Sequence, residues 1–317
     1  MAAGCRPPAA VRENVSGASL TTLGVGGPVR YVVTATSRRE MIQCLEWARA
    51  TGLPTVVLGE GSNVLIADSG FPGLVVVNRL GGRRLADGLL EVASGENLTE
   101  SIRWTNRRGY SGWERMIGIP GTVGGAVVGN AGAYGQEIGE RVVAVDVWTP
   151  EGVGRMAGSE LGFTYRDSVF KRHPDWVVLS VSLGLDRARE DPEAVSEAIL
   201  REREQKYPRG LRCPGSFFKN IPVASLSESA RRRIPEEFVH FGKIPAGRLL
   251  QAAGACGRRR GDAMIATYHG NLFLNLGRAA ARDLVDLARE AAEEVWRRFG
   301  VRLEPEVVLI GEEWPAA

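Results

Sequence analysis

The residues most suited to chemistry lie in a glycine-rich stretch, residues 118–135, with the sequence GIPGTVGGAVVGNAGAYG. Its eighteen residues include seven glycines, three alanines and no charged side chain. Because glycine is less favourable than alanine inside a helix or strand by about 0.5–1 kcal/mol, this density predicts a backbone that closely approaches another group. Backbone N–H groups without competing side chains suit a diphosphate. A set of tight structural turns is the alternative interpretation.

A second loop, GEGSN at residues 59–63, directly follows the apolar segment TVVL. The segment is typical of a buried strand, and ligands of α/β proteins bind at the carboxyl ends of strands. Neither loop has the GxGxxG frame of a Rossmann unit, and no GxxxxGK[ST] frame of a P-loop NTPase is present. Two loops that meet at one diphosphate would hold a dinucleotide through backbone amides.

Three further side chains are candidates for catalysis, each with a structural alternative. Arg166, in YRDS, offers a fork for a carboxylate or phosphate, or it forms a salt bridge with Asp167. Ser216, in PGSFFKN, lacks the GxSxG frame of a hydrolase, so it is either a positioned proton donor or a turn serine. Glu306, in LEPEVVLI, is an acid with a raised pKa if it faces apolar neighbours, or an exposed strand carboxylate.

The composition is that of an ordinary globular protein and excludes several classes. Net charge is +3, from 40 Lys and Arg against 37 Asp and Glu, which is too small to indicate a nucleic-acid partner. The four cysteines have no CxxC spacing, so we expect no zinc site, no other metal site and a reducing compartment. We see neither a signal-peptide core nor an apolar run of about 18 residues, so we expect a cytoplasmic protein without a membrane partner.

The elements around the GEGSN loop read as a β-α-β-β unit. Residues 29–36 are a β-branched strand, and a helix over residues 37–50 begins at Ser37 with Glu40 three positions later. Its apolar stripe is Met41, Cys44, Leu45 and Ala48. The segments TVVL, VLIAD and LVVVN are then three short strands.

The remaining chain predicts an antiparallel sheet followed by a helical and strand-bearing C-terminal part. Alternating strands at 141–149 and 176–185, with a helix at 98–108, indicate the sheet. A connecting helix begins at Asp191-Pro192, and the C-terminal part ends with a helix at 278–299 and a strand at 302–310. We therefore predict an α+β protein of three parts, with the last strand either in the third part or returning to the first two. The parts are residues 1–78, 79–205 and 206–317.

Six segments, in this order, resemble the UDP-N-acetylenolpyruvoylglucosamine reductase (UDP-N-acetylmuramate dehydrogenase) family. They are GEGSNVLIADSGFPGLVV, IGIPGTVGGAVVGNAGAYGQEI, YRDSVFK, GSFFKN, KIPAGRLLQAAG and LEPEVVLIG. The resemblance spans about residues 20–311. The stretch between Phe170 and Ser216 has no room for the extra loop of one subtype, which indicates the loop-lacking type II.

The resemblance implies a vanillyl-alcohol-oxidase (PCMH-type) FAD-binding fold of two α+β subdomains, followed by an α+β substrate-binding domain. It implies non-covalent FAD, NADPH as hydride donor and UDP-N-acetylglucosamine enolpyruvate as substrate in peptidoglycan precursor synthesis. Hydride passes from flavin N5 to C3 of the enolpyruvyl group, and the product is UDP-N-acetylmuramate. We expect a monomer.

The resemblance also assigns residues. Ser216 delivers a proton to C2, while Arg166 and Glu306 stabilise the enolate that hydride addition creates. The substrate is contacted by Tyr165, Lys206, Asn220 and His269. FAD is bound by Gly59, Glu60, Gly61, Ser62, Asn63, Ile119, Pro120, Gly121, Thr122, Gly124, Gly125 and Ala126.

Two positions depart from the family pattern. Cys256 stands where the family often has lysine, and Val308 stands where arginine is common. We expect Arg258 or a neighbour to supply the missing charge. The alternatives to the reductase are an FAD-linked oxidase of the same fold that uses dioxygen on a small alcohol, and a silent flavin or nucleotide-sugar binding protein.

Overall fold

The computed structural model describes residues 10–208 and 210–314, and these fall into two compact units. The first unit consists of residues 10–14, 30–60 and 72–208. The second consists of residues 15–29, 61–71 and 210–314. Residues 15–29 and 61–71, which the sequence placed in the first of three parts, thus belong to the unit that holds the C-terminal part. The further division at 78 and 79 stays a prediction.

Eight α-helices and twenty β-strands lie in the described residues. The helices are α1 (Arg38–Thr51), α2 (Leu98–Asn106), α3 (Val123–Val128), α4 (Val169–Arg172), α5 (Pro192–Lys206), α6 (Glu228–Arg231), α7 (Ala246–Ala252) and α8 (Ala281–Phe299). The first ten strands are β1 (Arg12–Ser16), β2 (Pro28–Ala35), β3 (Thr55–Leu58), β4 (Val64–Ile66), β5 (Phe71–Asn78), β6 (Arg83–Ala86), β7 (Leu89–Ala93), β8 (Tyr110–Ser111), β9 (Gly132–Ala133) and β10 (Gln136–Glu137). The other ten are β11 (Val142–Thr149), β12 (Gly152–Ala157), β13 (Val177–Gly184), β14 (Asp186–Arg187), β15 (Ile221–Pro222), β16 (Lys243–Ile244), β17 (Arg259–Arg260), β18 (Ala263–Ile265), β19 (Phe273–Asn275) and β20 (Val308–Ile310).

The first sheet of the first unit has the strand order β1-β2-β5-β3, with β3 parallel to β5. Its helix α1 starts where the sequence predicts, because the Ser37 hydroxyl accepts a hydrogen bond from the N–H of Glu40 at 3.2 Å. The helix ends at Gly52 in the left-handed conformation. The predicted apolar stripe is buried, and it packs on strands β2 and β5. Strand β3 therefore delivers the GEGSN loop at its carboxyl end.

The second sheet of the first unit is antiparallel, with the order β12-β11-β13-β7-β6, as the alternating strands predict. Helices α2, α3 and α5 contribute to a core around the fully buried Trp113. Helix α5, which reads as a connector in the sequence, is packed within this unit. Asn106 of α2 donates to the Ser196 hydroxyl at 2.8 Å, and Ser196 donates to the Glu114 carbonyl at 3.1 Å.

In the second unit, two strands differ from the prediction. VLIAD forms β4, but β4 pairs in parallel with β20 rather than with the strands of the β-α-β-β unit. The predicted strand at 302–310 is regular only over β20. All three residues of this short apolar strand are buried, and Leu65 belongs to the core of the second unit. No helix in residues 10–208 and 210–314 is both long and apolar enough to cross a bilayer.

Helix α8 shows how residues 61–71 are attached to the C-terminal part. The apolar face of this helix is buried and consists of Leu284, Leu287, Ala288, Ala291 and Val295. Ala280, which precedes the helix, has no side chain that could cap it. The carboxylate of Asp68 instead accepts from the N–H groups of Ala281 at 2.8 Å and Arg282 at 2.9 Å. A carboxylate there satisfies two of the orphan N–H groups and complements the helix dipole.

We predict that Asp68→Ala lowers the free energy of unfolding by about 1–2 kcal/mol, because the start of α8 loses its acceptor. Asp68→Asn keeps an acceptor without the charge and should lose less. Urea denaturation followed by tryptophan fluorescence measures both. An Asp68→Ala protein as stable as the parent would show that this capping interaction contributes nothing.

Candidate active site

The glycine-rich stretch is not the plain loop that its composition predicts, because it contains the six-residue helix α3. The hydroxyl of Thr122 caps this helix by accepting from the N–H of Gly125 at 3.3 Å. Gly124, inside the helix, lets α3 pack closely against the segment that follows β7. A Cβ at Gly124 would lie 2.7 Å from the Ser94 Cβ, so only glycine permits this close approach.

The stretch is fixed by backbone hydrogen bonds to the segment that follows β7. Val123 donates to Glu96 at 2.9 Å, and Gly124 donates to Ser94 at 2.8 Å. The Gly121 carbonyl accepts from Leu98 at 3.0 Å. These bonds hold the backbone at 121–124 in one position in the first unit.

Two N–H groups of this backbone have no partner in the protein. Gly121 and Thr122 are both buried, and their N–H groups donate to no acceptor among residues 10–208 and 210–314. Gly121 has φ +125°, a conformation that disfavours other residues. Because buried N–H groups are almost always paired, these two donors fit a ligand that carries acceptor oxygens. A diphosphate is such a ligand.

The start of the GEGSN loop lies against this backbone. A Cβ at Gly59 would be 2.5 Å from the Thr122 hydroxyl oxygen, so the two predicted loops meet at this point of the first unit. The Gly59 carbonyl accepts from Arg79 at 2.8 Å. The Glu60 carboxylate accepts from the Asn97 amide at 2.6 Å.

The rest of the loop, Gly61 to Asn63, belongs to the second unit. Gly61 has φ +64°, and its carbonyl accepts from the N–H of Thr22 at 3.1 Å. The Asn63 amide donates to the backbone carbonyl of Glu306 at 2.9 Å. Ser62 is half-buried between them. The loop therefore holds the segment that carries one of the candidate catalytic residues.

Arg166 is half-buried and points back to the end of the glycine-rich stretch. Its Nη2 donates to the Gly132 carbonyl at 2.9 Å, and its guanidinium carbon lies 5.2 Å from the ring centroid of Tyr165. The salt bridge with Asp167, which the sequence left open, is not formed, because Asp167 pairs with Arg172 at 2.7 Å. Its guanidinium thus contacts the backbone at the end of the glycine-rich stretch.

Asn130, which sequence reasoning missed, joins the Arg166 segment to the glycine-rich stretch. It is 2% exposed, has φ +41° and makes three side-chain hydrogen bonds. Its amide donates to the Thr164 carbonyl at 2.8 Å and the Glu137 carboxylate at 2.9 Å, and it accepts from Gly139 at 3.0 Å. An asparagine directly after glycine is the local signal, because asparagine tolerates the left-handed conformation.

Lys206 closes α5 near a second residue that the sequence did not single out, Tyr134. The Lys206 ammonium lies 5.9 Å from the Tyr134 ring centroid. Its hydrogen bond to Glu202, at 3.0 Å, raises the pKa of Lys206. Tyr134 has φ +51°, and burial raises the pKa of its phenol. Tyr134 lies two residues after Gly132, which accepts from Arg166.

Ser216 and Glu306 lie on neighbouring backbone segments of the second unit. The N–H of Glu306 donates to the Phe217 carbonyl at 2.7 Å, and Lys219 donates to the Glu304 carbonyl at 2.9 Å. Both Ser216 and Glu306 are half-buried, whereas Glu304 is exposed and pairs with the Lys219 ammonium at 3.1 Å. The backbone segments that carry the two candidate catalytic residues are therefore adjacent, although Ser216 and Glu306 are 90 positions apart in sequence.

Asn220 and His269 both contact the first residues of α7. The Asn220 side-chain oxygen accepts from the N–H of Ala246 at 3.1 Å. A Cβ at Gly247 would be 3.1 Å from the His269 ring, whose Nδ1 accepts from the N–H of Asn271 at 3.2 Å. The structure thus brings two of the four predicted substrate contacts together in the second unit.

The two departures from the family pattern are accommodated without strain. Cys256 is a half-buried free thiol whose pKa is raised by burial, and Val308 is 49% exposed. The Arg258 guanidinium donates to the Gly254 carbonyl at 2.9 Å, at the end of α7. The structure describes no cluster of three His, Cys, Asp or Glu side chains that could hold a metal. Cys5 lies outside the described residues.

Comparison with known families first defines the class of protein. Residues 29–155 match a family model described as an FAD binding domain. Together with the mixed helices and strands of both units, this confirms the predicted α+β architecture with a vanillyl-alcohol-oxidase-type FAD-binding fold. The chain is a flavoprotein by class.

The particular family follows from the rest of the chain. Residues 206–310 match the model of the UDP-N-acetylenolpyruvoylglucosamine reductase C-terminal domain. UDP-N-acetylenolpyruvoylglucosamine reductase of Solibacter usitatus is 37% identical over 299 residues, 92% of this chain and 94% of the relative. That of Synechococcus sp. (strain JA-3-3Ab) is 38% identical over 95% of this chain and 91% of the relative. The chain belongs to the UDP-N-acetylenolpyruvoylglucosamine reductase family, which confirms the resemblance.

A solved structure agrees with this assignment. The crystal structure of UDP-N-acetylenolpyruvylglucosamine reductase from Thermus caldophilus is 34% identical, with a TM-score of 0.75. The match covers 95% of this chain and all of that chain. The fold therefore agrees with that of the family over nearly the whole chain.

We predict that Asn130→Ala lowers the free energy of unfolding by about 2–4 kcal/mol, because buried hydrogen-bonding groups lose their partner and alanine disfavours a positive φ. Asn14 provides the control, since it is exposed and has φ +53°. Asn14→Ala should lower the free energy of unfolding by about 1 kcal/mol, because alanine disfavours the positive φ and no side-chain hydrogen bond among the described residues is lost. Equal losses in urea denaturation for the two variants would mean that the Asn130 side-chain bonds do not stabilise the fold.

Proposed function

We propose that this chain reduces UDP-N-acetylglucosamine enolpyruvate to UDP-N-acetylmuramate, with FAD as cofactor and NADPH as hydride donor, in peptidoglycan precursor synthesis. The observation that carries this proposal is the match to named reductases over more than nine-tenths of the chain, at 37% and 38% identity. This match leaves the oxidase and the silent binding protein less well supported than the reductase. The working form is a cytoplasmic monomer.

FAD is bound non-covalently through backbone groups. The buried N–H groups of Gly121 and Thr122 donate to its diphosphate, and the rest of the two loops surrounds it. The closeness of Gly59 to the Thr122 side chain supports a shared role for the loops. The residues assigned to FAD are Gly59, Glu60, Gly61, Ser62, Asn63, Ile119, Pro120, Gly121, Thr122, Gly124, Gly125 and Ala126.

The catalytic residues handle charge and a proton. When bound, FAD supplies the hydride, which it takes from NADPH and which is added at C3 of the enolpyruvyl group. Negative charge then develops on C2 and its carboxylate, and Arg166 and Glu306 stabilise that charge. Ser216 donates the proton that completes the new C–H bond at C2. The adjacent backbone segments of Ser216 and Glu306 support this division of roles.

We assign the further substrate contacts to Tyr165, Lys206, Asn220 and His269. Lys206 and Arg166 supply positive charge for the substrate's diphosphate and carboxylate. The grouping of Asn220 and His269 at the start of α7 supports a common ligand for these two side chains.

The proposal is tested with the purified protein under anaerobic conditions. We expect a yellow protein that NADPH bleaches and that UDP-N-acetylglucosamine enolpyruvate reoxidises stoichiometrically. Rapid reoxidation by air with no effect of the enolpyruvyl compound would identify an oxidase instead. A flavin that NADPH does not bleach would point to a silent binding protein, and both results would contradict the proposal.

We predict that Ser216→Ala slows reoxidation of the reduced flavin by substrate about 10²–10⁴-fold, the usual contribution of a positioned proton donor. Reduction by NADPH should stay near normal, since it needs no proton at C2. Stopped-flow absorbance measures both half-reactions separately. Ser225→Ala, at an exposed serine of the same unit, is the control. A parallel loss in both half-reactions would remove Ser216 from the role of proton donor.

We predict that Gly59→Ala weakens FAD binding, because the new Cβ would displace the Thr122 hydroxyl that caps α3. An effect of about tenfold corresponds to the loss of one ordinary hydrogen bond. Gly154→Ala is the control, since a Cβ there meets nothing within 4 Å. Titration of the FAD-free proteins by flavin fluorescence gives the two dissociation constants. Equal values for both variants would show that Gly59 does not set the geometry of the loop.

A further inference from the structure

Arg203, on helix α5, is a cation without a negative partner among the residues that the structure describes. It is half-buried, and no hydrogen bond or ion pair of its guanidinium exists among residues 10–208 and 210–314. Removal from water lowers the pKa of Arg203, and the groups that act against this are the phenols of Tyr207 and Tyr134. The neighbouring cation, Lys206, differs in that it is paired with Glu202 at 3.0 Å.

The guanidinium of Arg203 lies at the beginning of the glycine-rich stretch. A Cβ at Gly118 would be 3.2 Å from its Nε and 3.3 Å from its Cδ. Gly118 directly precedes Ile119, the first residue of the segment that we assign to FAD. The Tyr207 ring centroid is 5.3 Å from the guanidinium carbon, so the side chain is held on one side by an aromatic ring. A side chain at position 118 would crowd both Leu200 and Arg203, and the φ of +75° also favours glycine there.

A desolvated charge without a counterion is unfavourable, so its persistence indicates a ligand of opposite charge. The guanidinium is a planar fork that fits phosphate oxygens in a bidentate manner. We propose that Arg203 is a diphosphate-binding residue, whose guanidinium pairs with phosphate oxygens of the nucleotide bound beside Gly118. This inference rests on the proposed assignment of residues 119–126 to the cofactor.

Besides NADPH, two nucleotides of the proposed reaction carry a diphosphate, FAD and the UDP-sugar. The contact with Gly118 favours FAD, because the adjoining residues hold the buried free donors of Gly121 and Thr122. The neighbourhood of Tyr134 and Lys206 is the side on which we place the substrate. A binding measurement for each nucleotide separates the two sources.

The test uses the full-length chain with Arg203→Met, which keeps the aliphatic stem, and Arg203→Lys, which keeps the charge but not the fork. Arg201→Met is the matched control, since Arg201 is an exposed arginine of the same helix. FAD-free protein is titrated with FAD by flavin fluorescence. FAD-loaded protein is titrated with UDP by calorimetry. Far-ultraviolet circular dichroism checks that each variant is folded.

We expect Arg203→Met to bind FAD about ten- to a hundredfold more weakly, the range for a lost hydrogen bond to a charged group. Arg203→Lys should lose less and Arg201→Met should bind as the parent does. Weaker binding of UDP with unchanged FAD binding would support the diphosphate site and assign it to the substrate. Unchanged binding of both nucleotides by Arg203→Met would overturn the proposal. If that variant does not fold, unchanged FAD and UDP binding by Arg203→Lys overturns it.

The Gly59→Ala protein separates this inference from the proposed function. If Arg203→Met loses FAD while Gly59→Ala retains it fully, Arg203 binds the cofactor and the assignment of the GEGSN loop to FAD is wrong. The reverse result would show that the loops bind the cofactor and that Arg203 does not.

Discussion

The organisation of the first unit depends on one close approach between two backbones. Residues 121–124 lie against the segment from Ser94 to Leu98, where a Cβ at Gly124 would be 2.7 Å from the Ser94 Cβ. The bonds of this contact satisfy the N–H groups of Val123 and Gly124 and leave those of Gly121 and Thr122 buried and unpaired. The same constraint explains the density of glycine and the presence of donors for a diphosphate.

Three cationic side chains lie near this backbone. The Arg166 guanidinium donates to the Gly132 carbonyl, Arg203 has aromatic neighbours, and Lys206 is paired with Glu202. Cationic groups at these positions can interact with anionic groups of a ligand. In the second unit, backbone hydrogen bonds pair the two segments that carry Ser216 and Glu306.

The sequence predicted those features that have a local cause. The cap at Ser37, the start of α5 after Asp191 and the alternating strands of the antiparallel sheet each depend on residues a few positions apart. The pairing of β4 with β20 joins residues more than 240 positions apart, and no local pattern specifies it. Family resemblance, rather than spacing, pointed to Ser216 and Glu306 as a pair.

The residues that the sequence missed have roles that only the fold creates. Asn130 and Tyr134 owe theirs to a positive φ and to partners that the chain brings back to them. Arg203 reads as one of the solvated charges in REREQK. Its partial burial and its contacts with Gly118 and the Tyr207 ring distinguish it from the exposed Arg201. Arg166 was ambiguous because Asp167 follows it, and the structure resolves that ambiguity by pairing Asp167 with Arg172.

The central claim is that the unpaired N–H groups of Gly121 and Thr122 hold the FAD diphosphate. A crystal structure of the FAD-loaded protein measures this directly, through the distances from the two backbone nitrogens to the diphosphate oxygens. The account predicts at least one distance per nitrogen of about 2.7–3.2 Å, the range of an N–H···O hydrogen bond. A diphosphate bound elsewhere, with both nitrogens beyond about 4 Å from its oxygens, would contradict it.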